Sequence, residues 1–370
     1  MKPFKVLISG GGTGGHIFPA LSIANAIKKK YPDTEFLFVG ANGRMEMEKV
    51  PAAGYKITGL NIAGLQRKLT ISNLFFPFKL IHSLWKAKKI IQEFNPDVAI
   101  GTGGYASGPA LQAACKKKIP TLIQEQNSFP GITNKILSKK VDCICVAYEG
   151  MEKFFPADKI ILTGNPIRQD ITETEGKKNE AFSFFKLNPA KKTLLIIGGS
   201  LGARTINEAI GEGLIQLEKE NIQILWQTGK NYFETSKQKV NQFEKSGIYS
   251  FDFITRMDLA YAAADAVISR AGASSVSELC AVGVPSILVP SPNVAEDHQT
   301  KNAKALTEKN AAVLINDIDA KSKLTETAIA LIKNKELQEE LKKNIKKLAL
   351  PDSADRIADE VIRLINRKGK

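Results

Sequence analysis

The stretch "VLISGGGTGGH", Val6 to His16, is echoed past the middle of the chain by "LLIIGGSLGAR", Leu194 to Arg204. Each runs from a short apolar segment through a glycine turn into a helical pattern. A second pair follows in the same order: "DVAIGTGGYASGPALQAACKKKIPTLIQE" from Asp97, and "DAVISRAGASSVSELCAVGVPSILVP" from Asp265. Both read as strand, small-residue loop, helix, proline-led turn and strand. Alternation at this spacing specifies parallel sheets in an α/β fold, and the weak duplication specifies it twice. The expected architecture is two doubly wound parallel-sheet domains facing a cleft, with ligands at the carboxyl ends of the strands.

A chain of 370 residues is long enough for two such cores. The boundary is expected in "LTGNPIRQD", Leu162 to Asp170, punctuated by Gly164 and Pro166. It separates residues 1–165 from 166–352. The tail 353–370 has helical spacing in Ile357, Val361, Leu364 and Ile365, and is expected to return to the first domain.

With 43% hydrophobic and 24% charged residues the composition is that of a soluble globular protein. Cys115, Cys143, Cys145 and Cys280 are too few and scattered for a disulfide framework, which fits a reducing cytoplasm. Cys143 and Cys145 alternate on a strand and read as small buried apolar groups rather than metal ligands. The first residues run straight into a strand, so no secretory signal is expected. No uncharged apolar stretch approaches the roughly 20 residues that cross a bilayer. The formal charge of +14 predicts an acidic partner: nucleic acid, a phosphorylated substrate or an anionic membrane.

The charge is unevenly spread. Between Lys49 and Gln92 there is no Asp or Glu, and "RKLTISNLFFPFKLIHSLWKAKK", Arg67 to Lys89, joins six basic residues to a cluster of large apolar ones. In a helix from Pro77, Phe78, Ile81 and Trp85 share a face, with Phe75 just ahead. That is either an interfacial element for an anionic leaflet or a core helix with solvated lysines. The aromatics lack the platform spacing that RNA stacking uses.

The glycine loops carry the chemistry. A strand, a tight turn and a helix N-terminus present several backbone N–H groups together, which suits an anion. Gly10, Gly12 and Gly15 satisfy the dinucleotide spacing, yet the second strand, Glu35 to Val39, ends in Gly40-Ala41-Asn42 with no carboxylate for a ribose. A nicotinamide cofactor is therefore disfavoured. A P-loop needs Lys where this chain has His16. Gly198 to Gly202 should bring N–H groups and the Ser200 hydroxyl beside a phosphate, with a helix dipole adding about 0.3–1 kcal/mol. "SRAGASSVSE", Ser269 to Glu278, leads into a helix carrying Glu278. That carboxylate is placed either to favour the N-terminal dipole or to accept two ribose hydroxyls. "EDHQTKNA", Glu296 to Ala303, and "QEQNSFPG", Gln124 to Gly131, gather side chains suited to sugar hydroxyls. His16, near a helix N-terminus that disfavours imidazolium, is either a neutral general base or a chemically idle neighbour of the cap.

Taken in order, "GGGTGGHIFPA", "GTGGYASGP", "QEQNSFPG", "GNPIR", "GGSLGAR", "SRAGASSVSELCAVGVPSILVP" and "EDHQTKNA" resemble the MurG family, bacterial glycosyltransferases of peptidoglycan synthesis. The resemblance runs from about residue 4 to residue 305. It implies a GT-B fold, with two Rossmann-like domains. It implies inverting transfer of N-acetylglucosamine from UDP-GlcNAc to the 4-hydroxyl of MurNAc in undecaprenyl-pyrophosphoryl-MurNAc-pentapeptide, lipid I, giving lipid II. No cofactor is implied. The location implied is peripheral, on the cytoplasmic face of the plasma membrane, which would give Phe75, Phe78, Ile81 and Trp85 a purpose.

By the same resemblance, donor contacts fall on Thr13, Gly14, Gly15, Asn127, Arg168, Ser200, Ile254, Ala273, Ser274, Ser275, Val276, Ser277, Glu278 and Gln299. Ile254 would meet uracil through its main chain, Glu278 the ribose, Ser200 the diphosphate, and Asn127 and Gln299 the sugar. Gly12, Thr13 and His16, with Gly103, Gly104 and Tyr105, would hold the acceptor. Leu201 and Thr300 stand where the family often has glutamine. The first domain would thus serve acceptor and membrane, and the second UDP-GlcNAc.

In the mechanism expected, His16, or a nearby carboxylate such as Glu125, takes the acceptor proton. Helix dipole and backbone N–H groups stabilise departing UDP. No D-x-D motif occurs in a plausible loop, so no metal ligands are assigned and activity should survive EDTA. Rival readings are a non-hydrolysing UDP-GlcNAc 2-epimerase, which needs no acceptor loop, and a non-catalytic nucleotide-sugar- or RNA-binding protein. No nucleic-acid partner is expected.

Overall fold

A computed structural model describes residues 3–62, 76–167, 171, 173–199 and 201–368. Contacts divide the chain into two units, Met1–Ile167 with Pro351–Lys370, and Arg168–Leu350.

Unit 1 alternates β1 (Lys5–Gly10), α1 (Gly14–Lys30), β2 (Glu35–Ala41), α2 (Glu46–Ala52), β3 (Lys56–Leu60), α3 (Phe76–Phe94), β4 (Val98–Gly103), α4 (Ser107–Lys116), β5 (Thr121–Glu125), α5 (Ile132–Leu137), β6 (Cys143–Val146) and β7 (Ile160–Leu162). Its sheet runs β3-β2-β1-β4-β5-β6-β7, with the described pairings parallel. Strand residues alternate between two apolar layers. Leu7, Ala99 and Ile123 pack with Ala87, Ile91 and Leu111 on one face. Val6, Ile8, Ile100 and Leu122 pack with Ile17, Ile23 and Ile27 on the other. Burial on both faces explains why these strands read as continuous apolar runs. Cys143 and Cys145 lie in the second layer as buried free thiols.

Unit 2 continues with α6 (Lys178–Phe184), β8 (Lys192–Ile197), α7 (Arg204–Lys219), β9 (Ile222–Gln227), α8 (Phe233–Val240), β10 (Ile248–Phe251), α9 (Met257–Ala263), β11 (Ala266–Ser269), α10 (Ala273–Val282), β12 (Ser286–Leu288), α11 (His298–Thr307), β13 (Val313–Leu314), α12 (Ala320–Lys333) and α13 (Lys335–Lys347). Its parallel sheet runs β10-β9-β8-β11-β12-β13. The last helix, α14 (Ser353–Lys368), packs on α1 in unit 1. It buries Ile357, Ala358, Val361 and Leu364 in the α1 layer, and Lys30 Nζ meets Asp359 Oδ1 at 2.6 Å.

Both sheets reverse strand order once, between β1 and β4 and between β8 and β11. Loops that leave the carboxyl ends of neighbouring strands at such a reversal diverge to opposite faces, and ligands of open α/β sheets bind in that gap.

Candidate active site

At the unit 1 reversal the turns after β1 and β4 touch backbone to backbone. The ladder shifts register after Ser9, so that Gly10 faces Gly103, and Gly11 N–H donates to the Gly103 carbonyl at 3.3 Å. The approach requires glycine: a Cβ on Gly104, at φ +86°, would stand 2.3 Å from the Gly11 oxygen. Thr102 Oγ1 donates to the His16 carbonyl at 2.9 Å and ties the two turns further.

Helix α1 starts at Gly14. Thr13 is its extended N-cap, Gly14 and Gly15 its first residues, and Pro19 lies inside it. His16 is therefore in the first turn. Its Nδ1 lies 3.0 Å from the Gly11 carbonyl oxygen and 3.4 Å from Thr13 Oγ1. A carbonyl only accepts, so Nδ1 carries the hydrogen and the neutral ring keeps its lone pair on Nε2. The ring lies against Gly103, where an added Cβ would be 2.9 Å from Nε2. Half-exposed Tyr105 follows on the same turn.

Two expectations need correction in this loop. The N–H of Gly12 is not open to an acceptor diphosphate, because it donates to Glu46 Oε2 at 2.9 Å. Nor is the end of β2 without a carboxylate. Glu46 reaches it from α2, accepts the Ala41 N–H on Oε1 at 2.9 Å, and is fully buried.

The loop after β5 is built around Glu125. Its carboxylate accepts from the Asn127 N–H (3.0 Å), Asn127 Nδ2 (3.2 Å), the Gly131 N–H (3.2 Å) and Asn134 Nδ2 (2.9 Å). Burial pushes its carboxyl above the ordinary range, against those hydrogen bonds. Sealed this way, Glu125 shapes the loop that carries Asn127. Gln124, Gln126 and Asn165 extend the buried network, with Asn165 Nδ2 donating to the Gln126 carbonyl at 2.9 Å; their spacing gave no sign of it.

In unit 2 the Gly198–Gly202 turn is equally tight. Gly198 N–H donates to the Gln227 carbonyl and Gly202 N–H to Gly199, both at 3.1 Å. These two donors are therefore spent internally, and an anion would rely on other positions and the first turn of α7. Asn207 holds that turn in place, accepting from Trp226 Nε1 (3.0 Å) and donating to the Thr228 carbonyl (2.9 Å). Leu201 is 69% exposed.

Across the reversal, α10 starts at Ala273 behind the extended N-cap Gly272. The N–H groups of Ala273, Ser274 and Ser275 lack intrahelical acceptors by construction, and Val276 packs inward. Ser277 and Glu278 follow, with Glu278 in the second turn rather than at the helix mouth, so the dipole does little for it. It is met by Tyr261, whose hydroxyl donates to Oε2 at 3.3 Å. Arg270, unsuspected from sequence, fixes the end of β11 to the Val289 and Pro290 carbonyls and to Asp317. Ile254 is buried, and its N–H donates to Gln227 Oε1 at 2.9 Å. Of its main-chain groups the carbonyl is left to meet a base. Gln299 accepts the Ser291 N–H on Oε1 at 2.9 Å, which turns its amide nitrogen toward other acceptors. Thr300 donates to Asp297 Oδ1 at 2.7 Å.

Arg168, Ser200 and Phe75 lie outside the described residues. On α3, Phe78, Ile81 and Trp85 are 68%, 65% and 63% exposed, while Ser83, Ala87, Ile90 and Ile91 face inward. The apolar stripe is therefore not part of the core. Among the described residues no helix is long and apolar enough to cross a membrane.

Two parallel-sheet units, each with glycine turns at its strand-order reversal, define a GT-B glycosyltransferase. The glycosyltransferase family 28 N-terminal domain matches residues 6–146 and the family 28 C-terminal domain residues 193–357. The chain is 56% identical, over 100% of both chains, to the UDP-N-acetylglucosamine--N-acetylmuramyl-(pentapeptide) pyrophosphoryl-undecaprenol N-acetylglucosamine transferase of Parabacteroides distasonis. It is 58% identical to that of Cytophaga hutchinsonii, covering 100% of this chain and 99% of the relative. The crystal structure of Acinetobacter baumannii MurG superposes with a TM-score of 0.81 at 29% identity, covering 98% of this chain and 100% of that one. A UDP-GlcNAc 2-epimerase from Neisseria meningitidis matches at a TM-score of 0.65 but 14% identity, over 97% and 100% of the two chains, a likeness of fold alone. The chain belongs to the MurG family of family 28 glycosyltransferases.

Proposed function

We propose that His16 is the general base of a single in-line displacement. The chain is a hexosyltransferase that moves N-acetylglucosamine from UDP-GlcNAc to the N-acetylmuramyl sugar of lipid I, forming lipid II. The acceptor hydroxyl attacks the anomeric carbon, the bond to the UDP β-phosphate oxygen breaks, and the hydroxyl proton passes to His16 Nε2. The observation that carries this reading is the hydrogen bond between His16 Nδ1 and the Gly11 carbonyl, which commits Nε2 to accepting.

The donor is assigned to unit 2. The first turns of α7 and α10 supply N–H groups for the diphosphate, and the family resemblance adds Ser200, Arg168 and Ala273–Glu278 to the donor contacts. The Ile254 carbonyl takes the uracil N–H, Glu278 the ribose hydroxyls, and Gln299 the sugar through its amide nitrogen. The family resemblance adds Thr13, Gly14, Gly15 and Asn127 to the donor contacts. The acceptor is assigned to Thr13, Gly103, Gly104 and Tyr105, with Gly12 acting through its place in the turn.

The enzyme works as a peripheral protein at the cytoplasmic face of the plasma membrane, and its basic surface meets anionic lipid rather than nucleic acid. Three large apolar side chains on one exposed helix face, flanked by Lys79, Lys88 and Lys89, support this.

The test is His16→Ala assayed with labelled UDP-GlcNAc and a lipid I analogue. Turnover should fall about 10²–10⁴-fold, with UDP-GlcNAc binding by calorimetry unchanged. Near-normal turnover removes His16 from the mechanism.

A further inference from the structure

The geometry points to Glu46 as a positioning residue that sets the basicity of His16 through one peptide group. Gly12 N–H donates to Glu46 Oε2 at 2.9 Å, and the Gly11 carbonyl lies 3.0 Å from His16 Nδ1. These are the two ends of the same amide, the one joining Gly11 to Gly12. Hydrogen bonds in a chain polarise one another. An amide whose N–H faces a carboxylate becomes a stronger acceptor at its oxygen, and that oxygen holds the ring N–H. Glu46 therefore fixes the Nδ1–H tautomer and favours the imidazolium that forms when Nε2 takes a proton. The arrangement does the work of an aspartate placed directly on a catalytic histidine.

The chain goes to some length to seat this carboxylate. Glu46 is fully buried, and its second oxygen is held by the Ala41 N–H at 2.9 Å. Both oxygens accept, as an ionised carboxylate does. A Cβ on Gly11 would lie 2.1 Å from Oε1, and one on Gly40 2.5 Å from Glu46 Cγ, so two glycines clear its space. A buried charge is costly unless hydrogen-bonded, and loop shape alone needs none.

The first turn of α1 has no acidic residue. The β4 turn brings Tyr105, and on the α2 side Arg44 and Glu48 are exposed while Glu46 points inward.

The inference rests on His16 as the base, and the tests separate the two. The full chain has three histidines, so the His16 signal in ¹⁵N-histidine NMR is assigned by His82→Gln and His298→Gln. In the wild-type protein without ligand, the neutral His16 ring should be the Nδ1–H tautomer; an Nε2–H ring overturns the proposal without any Glu46 variant. In Glu46→Gln, which keeps an oxygen but not the charge, the His16 pKa should fall by about half a unit or more. The acidic limb of the kcat/KM profile should move to lower pH by the same amount, with KM for UDP-GlcNAc within about twofold. A folded Glu46→Gln protein whose His16 titration is unmoved overturns the proposal and leaves the base assignment standing. Full turnover in His16→Ala with the Glu46-dependent titration intact does the reverse.

Discussion

A Cβ on Gly103, where φ is +96°, would stand 2.8 Å from His16 Cδ2 and 2.9 Å from Nε2. Gly103→Ala should push the imidazole off its position and lower kcat at least about tenfold, alongside a stability cost of roughly 1–3 kcal/mol from the left-handed backbone. Steady-state kinetics and calorimetric donor binding check this. A variant with lower Tm but wild-type kcat would show that the contact does not position the base. The glycine pattern and His16 were legible because both belong to one short stretch. Glu46 was not. It joins Gly12 from 34 residues away, and nothing in local periodicity tells which carboxylate folds back into a turn. The same holds for Gln227, which takes the Ile254 N–H across 27 residues.

The helix α3 poses a different problem of reading. Helical spacing put Phe78, Ile81 and Trp85 on one face, but composition could not say whether that face met core or solvent. Ala87, Ile90 and Ile91 supply the core contacts, which leaves the stripe outside. Replacing all three with Ser should leave the fold and UDP-GlcNAc affinity intact, since nothing buried is lost. Co-sedimentation with anionic vesicles should weaken at least about tenfold, each side chain being worth up to ~1.5–3 kcal/mol on full burial. Unchanged vesicle binding would refute the assignment. At the start of α9, Asp258 takes a two-pronged contact from Arg256 (3.0 and 2.9 Å) and a third from Lys177 at 3.1 Å. The Arg256 hydrogen bond holds its carboxyl well below the usual carboxylate range. A depressed pKa stabilises the fold above the unfolded value of about 3.9 and ceases to do so as pH falls through the folded value. Asp258→Asn should therefore lower Tm by roughly 2–5 °C at pH 7. The gap from wild type should close steadily below about pH 4. A gap independent of pH would assign the loss to packing.

For the whole molecule, the alternation of strand and helix, the two-fold repeat and the family were legible, because parallel sheets buried on both faces write themselves as apolar runs separated by glycine turns. What each unit's turns spend internally was not, since those hydrogen bonds depend on the folded backbone. Unit 2 is continuous in sequence, whereas unit 1 takes in α14, which follows unit 2 in the chain. Deleting residues 353–370 uncovers the face of α1 where Ile357, Val361 and Leu364 pack. A calorimetric trace should then lose or shift down by roughly 10 °C the transition of unit 1 while that of unit 2 stays; equal loss of both would mean that the units melt as one. On the ribosome this connectivity inverts the usual N-to-C order of completion. The half of the enzyme that is made first waits, with a greasy helix face unclothed, until residues 353–368 emerge, so nascent chains stalled before Ser353 should be preferential clients of holdase chaperones.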